Sequence, residues 1–325
     1  MPELEELSNR IGEYAETVEI HSERASILVL SYGGRVLGVD IGKGNLLWVN
    51  PNIDDVLKKR EWNTGGIRTW ISPERTYFYD DPEEFKGWRC PKGIDPANFK
   101  IVLKEAHAVE LESTVSAKNM ASGQTFTGKI TKRIELAEVR QREDTQWGRV
   151  RIHDHLTAQN FESPFALWTI LQVPLGDDGS GAVNIPVTKN AQPIHYFDPI
   201  PSSHLAPFKD RLSFRIDGEK ELKLGVRPED LPNPREARLT YVYKRHGKNI
   251  LISMFSRTGA KNQEECVDPA KSNPKGPRAV IQSYNSDVKS SGLKFGELEI
   301  QGSRAKTQPD GKAMAEHEVT IDFSV

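Results

Sequence analysis

What most constrains this chain is its rhythm. From about Val18 to the C-terminus the apolar residues alternate, or cluster in short runs, with turn residues between them. The runs fall at residues 26–31, 35–41, 45–49, 99–104, 107–112, 129–136, 148–157, 165–173, 211–217, 238–244, 249–255, 279–285, 293–301 and 316–323. These are strand lengths, and a period of two marks a strand with one face in a core. Only Leu4, Leu7, Ile11 and Tyr14 recur at helical spacing, which predicts one short amphipathic helix at the start. With no further long helix there are no crossovers to build a parallel sheet. The chain is therefore expected to be all-β, a large antiparallel β-sandwich with a short N-terminal helix. No linker rich in Pro, Gly or Ser divides it, so residues 1–325 read as a single domain. Residues 176–181 (GDDGSG) read as a hairpin tip and residues 262–277 as a long polar loop.

Charge narrows the partners. The 44 basic residues nearly balance 46 acidic ones, and no basic run stands out, so nothing resembles a nucleic-acid footprint. No apolar stretch is long enough to span a bilayer, and the acidic start Met1-Pro2-Glu3-Leu4-Glu5-Glu6 is unlike a signal peptide. The reading is cytoplasmic, with no membrane and no nucleic-acid partner. Cys90 and Cys266 are far apart and neither lies in a C-x-x-C pair, so free thiols are expected and no multi-thiolate metal site.

Gly33, Gly34, Gly38, Gly42 and Gly44 could suggest a phosphate loop. Such a loop must run into a helix, whereas Gly44 leads into Asn-Leu-Leu-Trp-Val-Asn-Pro; a strand-turn-strand hairpin accounts for the glycines. Four of the six tryptophans lie between Trp48 and Trp88, interleaved with Asn50, Asn63, Arg68 and Glu74, with Arg89 next to Trp88. Flat aromatic faces stack on sugar C–H faces while Arg, Asn and Glu meet hydroxyls; Trp48 and Trp70, in apolar runs, read equally as core, and Trp88 as the exposed platform. In residues 149–157 alternation places Val150, Ile152 and Leu156 on one face and Arg151, His153 and His155 on the other. Two histidines on one polar face suit acid–base work, or simply a solvated sheet surface; a metal is least favoured because spacing identifies no third ligand. In residues 293–301 Leu293, Phe295, Glu297, Glu299 and Gln301 share a face. Two sheltered carboxylates at i and i+2 raise each other's pKa, which suits general-base chemistry; two exposed glutamates on a solvated strand is the plainer reading.

Taken in order, these segments resemble the galactose-mutarotase-like (aldose 1-epimerase) superfamily, an antiparallel supersandwich that binds sugars on a concave sheet face. The resemblance rests on Gly33-Gly34-Arg35-Val36-Leu37-Gly38 with residues 45–51, on Gly65-Gly66-Ile67-Arg68, on His155 through Asn160 to Ala166-Leu167-Trp168, and on residues 297–301. It implies Arg68 as a substrate contact, His155 (or His153) as the acid and Glu299 as the base. Trp88, Arg89, Glu74, Glu297 and Lys223 join as substrate-binding candidates, with no cofactor. The chain departs from the family in lacking a Leu-His-Gly-Gly segment.

The reading is thus a carbohydrate-active protein that interconverts sugar anomers or epimers by acid–base catalysis on a small sugar or oligosaccharide. A glycoside-cleaving hydrolase or lyase on the same scaffold, and a non-catalytic carbohydrate-binding protein, stand as alternatives.

Overall fold

The structure is a computed structural model that describes residues 2–143 and 145–325. Among these residues, two large sheets face each other. The first has nine strands, in the spatial order Thr17–His21, Ser26–Leu30, Arg35–Asp40, Ile67–Ser72, Ala166–Val173, Gly296–Gln301, Ile281–Asn285, Leu222–Val226 and Ile194–His195. The second has eleven, built around the long strands Ala108–Lys118, Thr125–Arg142, Thr145–Gln159 and Ala313–Ser324. Pairing is antiparallel throughout both. This is the expected antiparallel sandwich. Gly33 and Gly34, both at positive φ, turn the hairpin between Ser26–Leu30 and Arg35–Asp40, a conformation in which glycine carries no steric cost.

One hydrophobic cluster fills the space between the sheets, with Ile71, Leu167, Leu298 and Ile300 from the first meeting Val150, Ile152, Leu156 and Ile321 from the second. The N-terminal helix Pro2–Ile11 lies on the outer face of the first sheet, where Leu4 and Ile11 pack on Leu28, Leu30 and Leu37. Tyr14 falls beyond this helix, after Gly12, and is 42% exposed, so the helical face ends one turn earlier than the spacing predicts.

Two further differences have local causes. Residues 45–49 do not form a strand: the Asn45 side chain accepts from the backbone N–H groups of Val39 and Leu47, a local bond that competes with sheet pairing. Conversely, Ile67–Ser72 and Leu222–Val226 are strands that the runs above omit. Both are buried at every position; Ile67–Ser72 shows no alternation, whereas Leu222–Val226 does alternate, Leu222, Leu224 and Val226 against Lys223 and Gly225, but over only five residues.

The first sheet's outer face, past the helix, carries the site. Register sets which side chains share it: Ile170 sits opposite both Arg68 and Glu299, Gln282 opposite Glu299, Tyr284 opposite Glu297, and Lys223 opposite Tyr284. Since directly paired residues point to the same side of a sheet, Arg68, Glu297, Glu299, Tyr284 and Lys223 form a ladder across five neighbouring strands.

Candidate functional site

Above this ladder lies a cavity of about 1110 Å³. Its floor begins with Arg68. Gly65 and Gly66, at φ +99° and +79°, bring the chain so close to Trp48 and Val36 that a Cβ at either position would collide with their carbonyl oxygens. That close approach delivers Ile67–Ser72 into the middle of the sheet with the Arg68 side chain on the cavity side. The guanidinium lies over the rings of Trp62 and Trp70, 4.9 and 4.2 Å from their centroids. Its Nη2 donates to Glu297 Oε1 at 2.7 Å, and Gln172 Nε2 donates to the same oxygen at 3.1 Å. Arg68 is 1% exposed, so the ion pair is sheltered from water.

The second pair is Lys223 with Glu299, Nζ to Oε2 at 3.1 Å. Glu299 is fully buried. Loss of hydration raises its pKa to about 8, against the attraction of Lys223 and with help from the Glu297 charge. Burial works against the charge on Lys223, yet Glu299, Glu74, Asp268 and Glu297 together outweigh it and raise its pKa. One ammonium cannot neutralise so many carboxylates at close quarters. Asp268, also buried, is accordingly raised to about 6, first by desolvation and then by Glu74. Lys223 Nζ also sits 4.6 Å from the Trp168 ring centroid.

Glu74 lines the cavity wall; its backbone N–H donates to Asp268 Oδ1, and its Oε1 accepts from Trp88 Nε1 at 2.6 Å. Trp88 is held in this way at the mouth, 39% exposed, with its ring edge-on to Trp62. On the far side Phe197 and Tyr284 meet edge-to-face, and Tyr284 contacts Phe295, which packs on Trp48. Trp48 is itself 9% exposed and serves the interior.

Of the residues singled out from sequence, Arg68, Glu74, Trp88, Lys223 and Glu297 line the cavity, and Glu299 lies directly behind Lys223. Arg89 does not line it: it turns away to pair with Asp80 at 2.6 Å. His153 and His155 are on the other sheet. They point outward from Thr145–Gln159, where His153 Nε2 is 2.7 Å from the exposed Glu316. The inward neighbours on that strand are Ile152, Asp154 and Leu156, so the predicted alternation is right while the face it presents is the outer surface. The acid role implied for these histidines has no imidazole to fill it, since none lines the cavity among the described residues.

The sequence reading misses Trp62, Gln172, Phe197 and Tyr284. Trp62 belongs to the tryptophan-rich stretch between Trp48 and Trp88, and Tyr284 alternates with Gln282 in residues 279–285; Phe197 sits in a loop with no such signal. Among the described residues no group of three or more His, Cys, Asp or Glu side chains is arranged to hold a metal ion, and no helix is long and apolar enough to cross a membrane. Cys90 and Cys266 are free thiols.

Residues 5–167, just over half of the chain, match the model of a family of unknown function, DUF6786. The chain belongs to that family. No curated protein matches it. Among solved structures it is similar to a galactose mutarotase-like protein from Lactobacillus casei ATCC 334, at 13% identity and a TM-score of 0.55, over 95% of this chain and 100% of that one. It is also similar to a GalM/aldose epimerase homologue from C. elegans, at 14% identity and a TM-score of 0.51, over 95% of this chain and 98% of that one. At such identities the likeness establishes the fold, which is galactose-mutarotase-like.

Proposed function

We propose that this DUF6786 member binds a carbohydrate in the cavity and interconverts its anomers by acid–base chemistry. The observation that carries this reading is the cavity floor itself, where two carboxylates two residues apart on one strand are placed in different electrostatic company. Glu297 faces the cavity paired with Arg68, whereas Glu299 is buried, protonated up to about pH 8, and in contact with the cavity-facing Lys223. Environments that push two titratable groups apart are how a site divides acid from base.

In this scheme Glu297 takes the proton of the anomeric hydroxyl as the C1–ring-oxygen bond breaks. The Lys223 ammonium protonates the ring oxygen and recovers a proton from Glu299. That transfer leaves an ammonium–carboxylate pair, which favours it. Rotation about C1–C2 and the reverse steps give the other anomer. Glu299 is thereby the proton reservoir rather than the base. The roles sought in His153 and His155 fall to groups on the first sheet.

The test is anomer exchange of common aldoses followed by NMR. Exchange should run faster with protein than in buffer, and Glu299→Gln should return it to the buffer rate while sugar binding persists. Exchange equal to buffer with the wild-type protein would overturn the catalytic part. A second reading, sugar binding without turnover, is favoured by the absence of any imidazole from the cavity lining among the described residues; retained binding with no exchange would establish it.

A further inference from the structure

Resting on the carbohydrate reading, we propose that the occupant of this cavity is an uncharged oligosaccharide of at least two rings, laid across two separate aromatic platforms. Three observations support this.

The first is size. About 1110 Å³ lies at or beyond the top of the ~300–1,000 Å³ typical of pockets that enclose a drug-sized ligand. A lone six-membered ring would leave most of it wet.

The second is the placement of the aromatic surfaces. One platform, Trp62 and Trp88, stands beside the Arg68 strand; the other, Phe197 and Tyr284, stands at the Tyr284 strand. Three strand spacings separate Ile67–Ser72 from Ile281–Asn285, which is about 14 Å across the sheet. One sugar ring cannot stack on both. Two or more linked rings can, with the Arg68–Glu297 and Lys223–Glu299 pairs lying beneath the linkage.

The third is polarity. Of the two buried cations of the floor, Arg68 is paired with the Glu297 carboxylate and Lys223, in contact with Glu299, is also held by the charges of Glu74, Asp268 and Glu297; the other two cavity lysines, Lys220 and Lys271, are exposed at the rim with the acidic Asp198 and Glu221 also lining the cavity. No uncommitted buried cation waits for a phosphate or a uronate. Three buried donors on residues that line the cavity, Arg68 Nε and Nη1 and Trp168 Nε1, have no protein partner, and the oxygens of a sugar can accept from them.

The test is titration calorimetry of the full chain with glucose and galactose, with maltose, cellobiose, lactose and their trisaccharide homologues, and with glucose 6-phosphate. At least one neutral di- or trisaccharide should bind about tenfold or more tighter than its parent aldose, the gain expected from a second stacked ring. Glucose 6-phosphate should bind no tighter than glucose. Phe197→Ala should erase the oligosaccharide gain, so that the best oligosaccharide binds this variant no tighter than its parent aldose does; a gain that survives would overturn the second platform. Aldoses binding as tightly as every oligosaccharide, or the phosphate binding tighter than glucose, would overturn this proposal while leaving the carbohydrate reading intact. Binding of none of these sugars would instead overturn the carbohydrate reading, and this proposal with it.

Discussion

The two sheets use the same pairing and handle polar residues in opposite ways. The strands Thr125–Arg142 and Thr145–Gln159 of the second sheet alternate buried with half-buried or exposed residues, sending Arg151, His153 and His155 to solvent. The strands Ile67–Ser72, Ala166–Val173 and Gly296–Gln301 of the first are buried at every position, and their outer face nonetheless holds Arg68, Gln172, Glu297 and Glu299. A charged group that reaches water needs no partner. One that does not must be paired or give up its charge. The first sheet thus builds an electrostatic network beneath the cavity, whereas on the second His153 and His155 stay at the outer surface.

The comparison is most sharply broken at the one place where the second sheet buries charge. Lys132 and Asp154 face inward, 2.6 Å apart, and Lys132 Nζ also donates to Thr69 of the first sheet. Lys132→Met leaves Asp154 buried without its cation and should cost about 3–5 kcal/mol in chemical denaturation, with sugar binding retained in the fraction still folded. Arg68→Met does the same to Glu297 within the cavity. It should cost about 3 kcal/mol, somewhat less because Glu297 keeps the Gln172 bond and a little exposure, and in contrast it should abolish sugar binding.

The pH dependence of stability separates the two regions by sign. Glu299 has a folded pKa of about 8, above its ordinary value, so the folded protein holds a proton that the unfolded chain releases. This stabilisation is complete at pH 4 and is lost as pH rises toward and through 8. His317, buried between the sheets with its Nε2 near Ile300 O, is pushed by burial down to about 4. Its contribution is complete above pH 6.5 and is lost as pH falls through 4. In urea titrations across pH, Glu299→Gln should flatten the alkaline limb alone and His317→Asn the acidic limb alone. An unchanged alkaline limb in the first variant would remove the physical basis for Glu299 as a proton reservoir. The smallest effect should come from His153→Ala. An exposed pair with Glu316 is worth at most about 0.5–1 kcal/mol, and neither binding nor anomer exchange should change. A loss of exchange in that variant would return catalysis to the second sheet.

Much of the fold was legible because a half-buried strand writes its geometry into the sequence. The alternation of Val150, Ile152 and Leu156 with Arg151, His153 and His155 is seen in the structure residue for residue. It could not say which face was the pocket, because alternation separates two faces without saying what covers either. Where a strand is buried on both sides the code weakens further: Ile67–Ser72, which carries Arg68, left no period, and the alternation around Lys223 in Leu222–Val226 spans only five residues. Those two residues were reached through resemblance, and Glu297 and Glu299 through their shared face. Phe197, on a loop, was reached by neither.

The sequence by itself determined the sandwich, the N-terminal helix and the pairing of Glu297 with Glu299 on one face, because these follow from spacing along a chain of fixed geometry. The tertiary structure decided which charges are buried together and which reach water. Lys223 meets Glu299, and Arg68 meets Glu297, only because strands far apart in sequence lie side by side in the first sheet. The electrostatic character of each group depends on that company and on the water excluded around it, and neither is a property of local sequence.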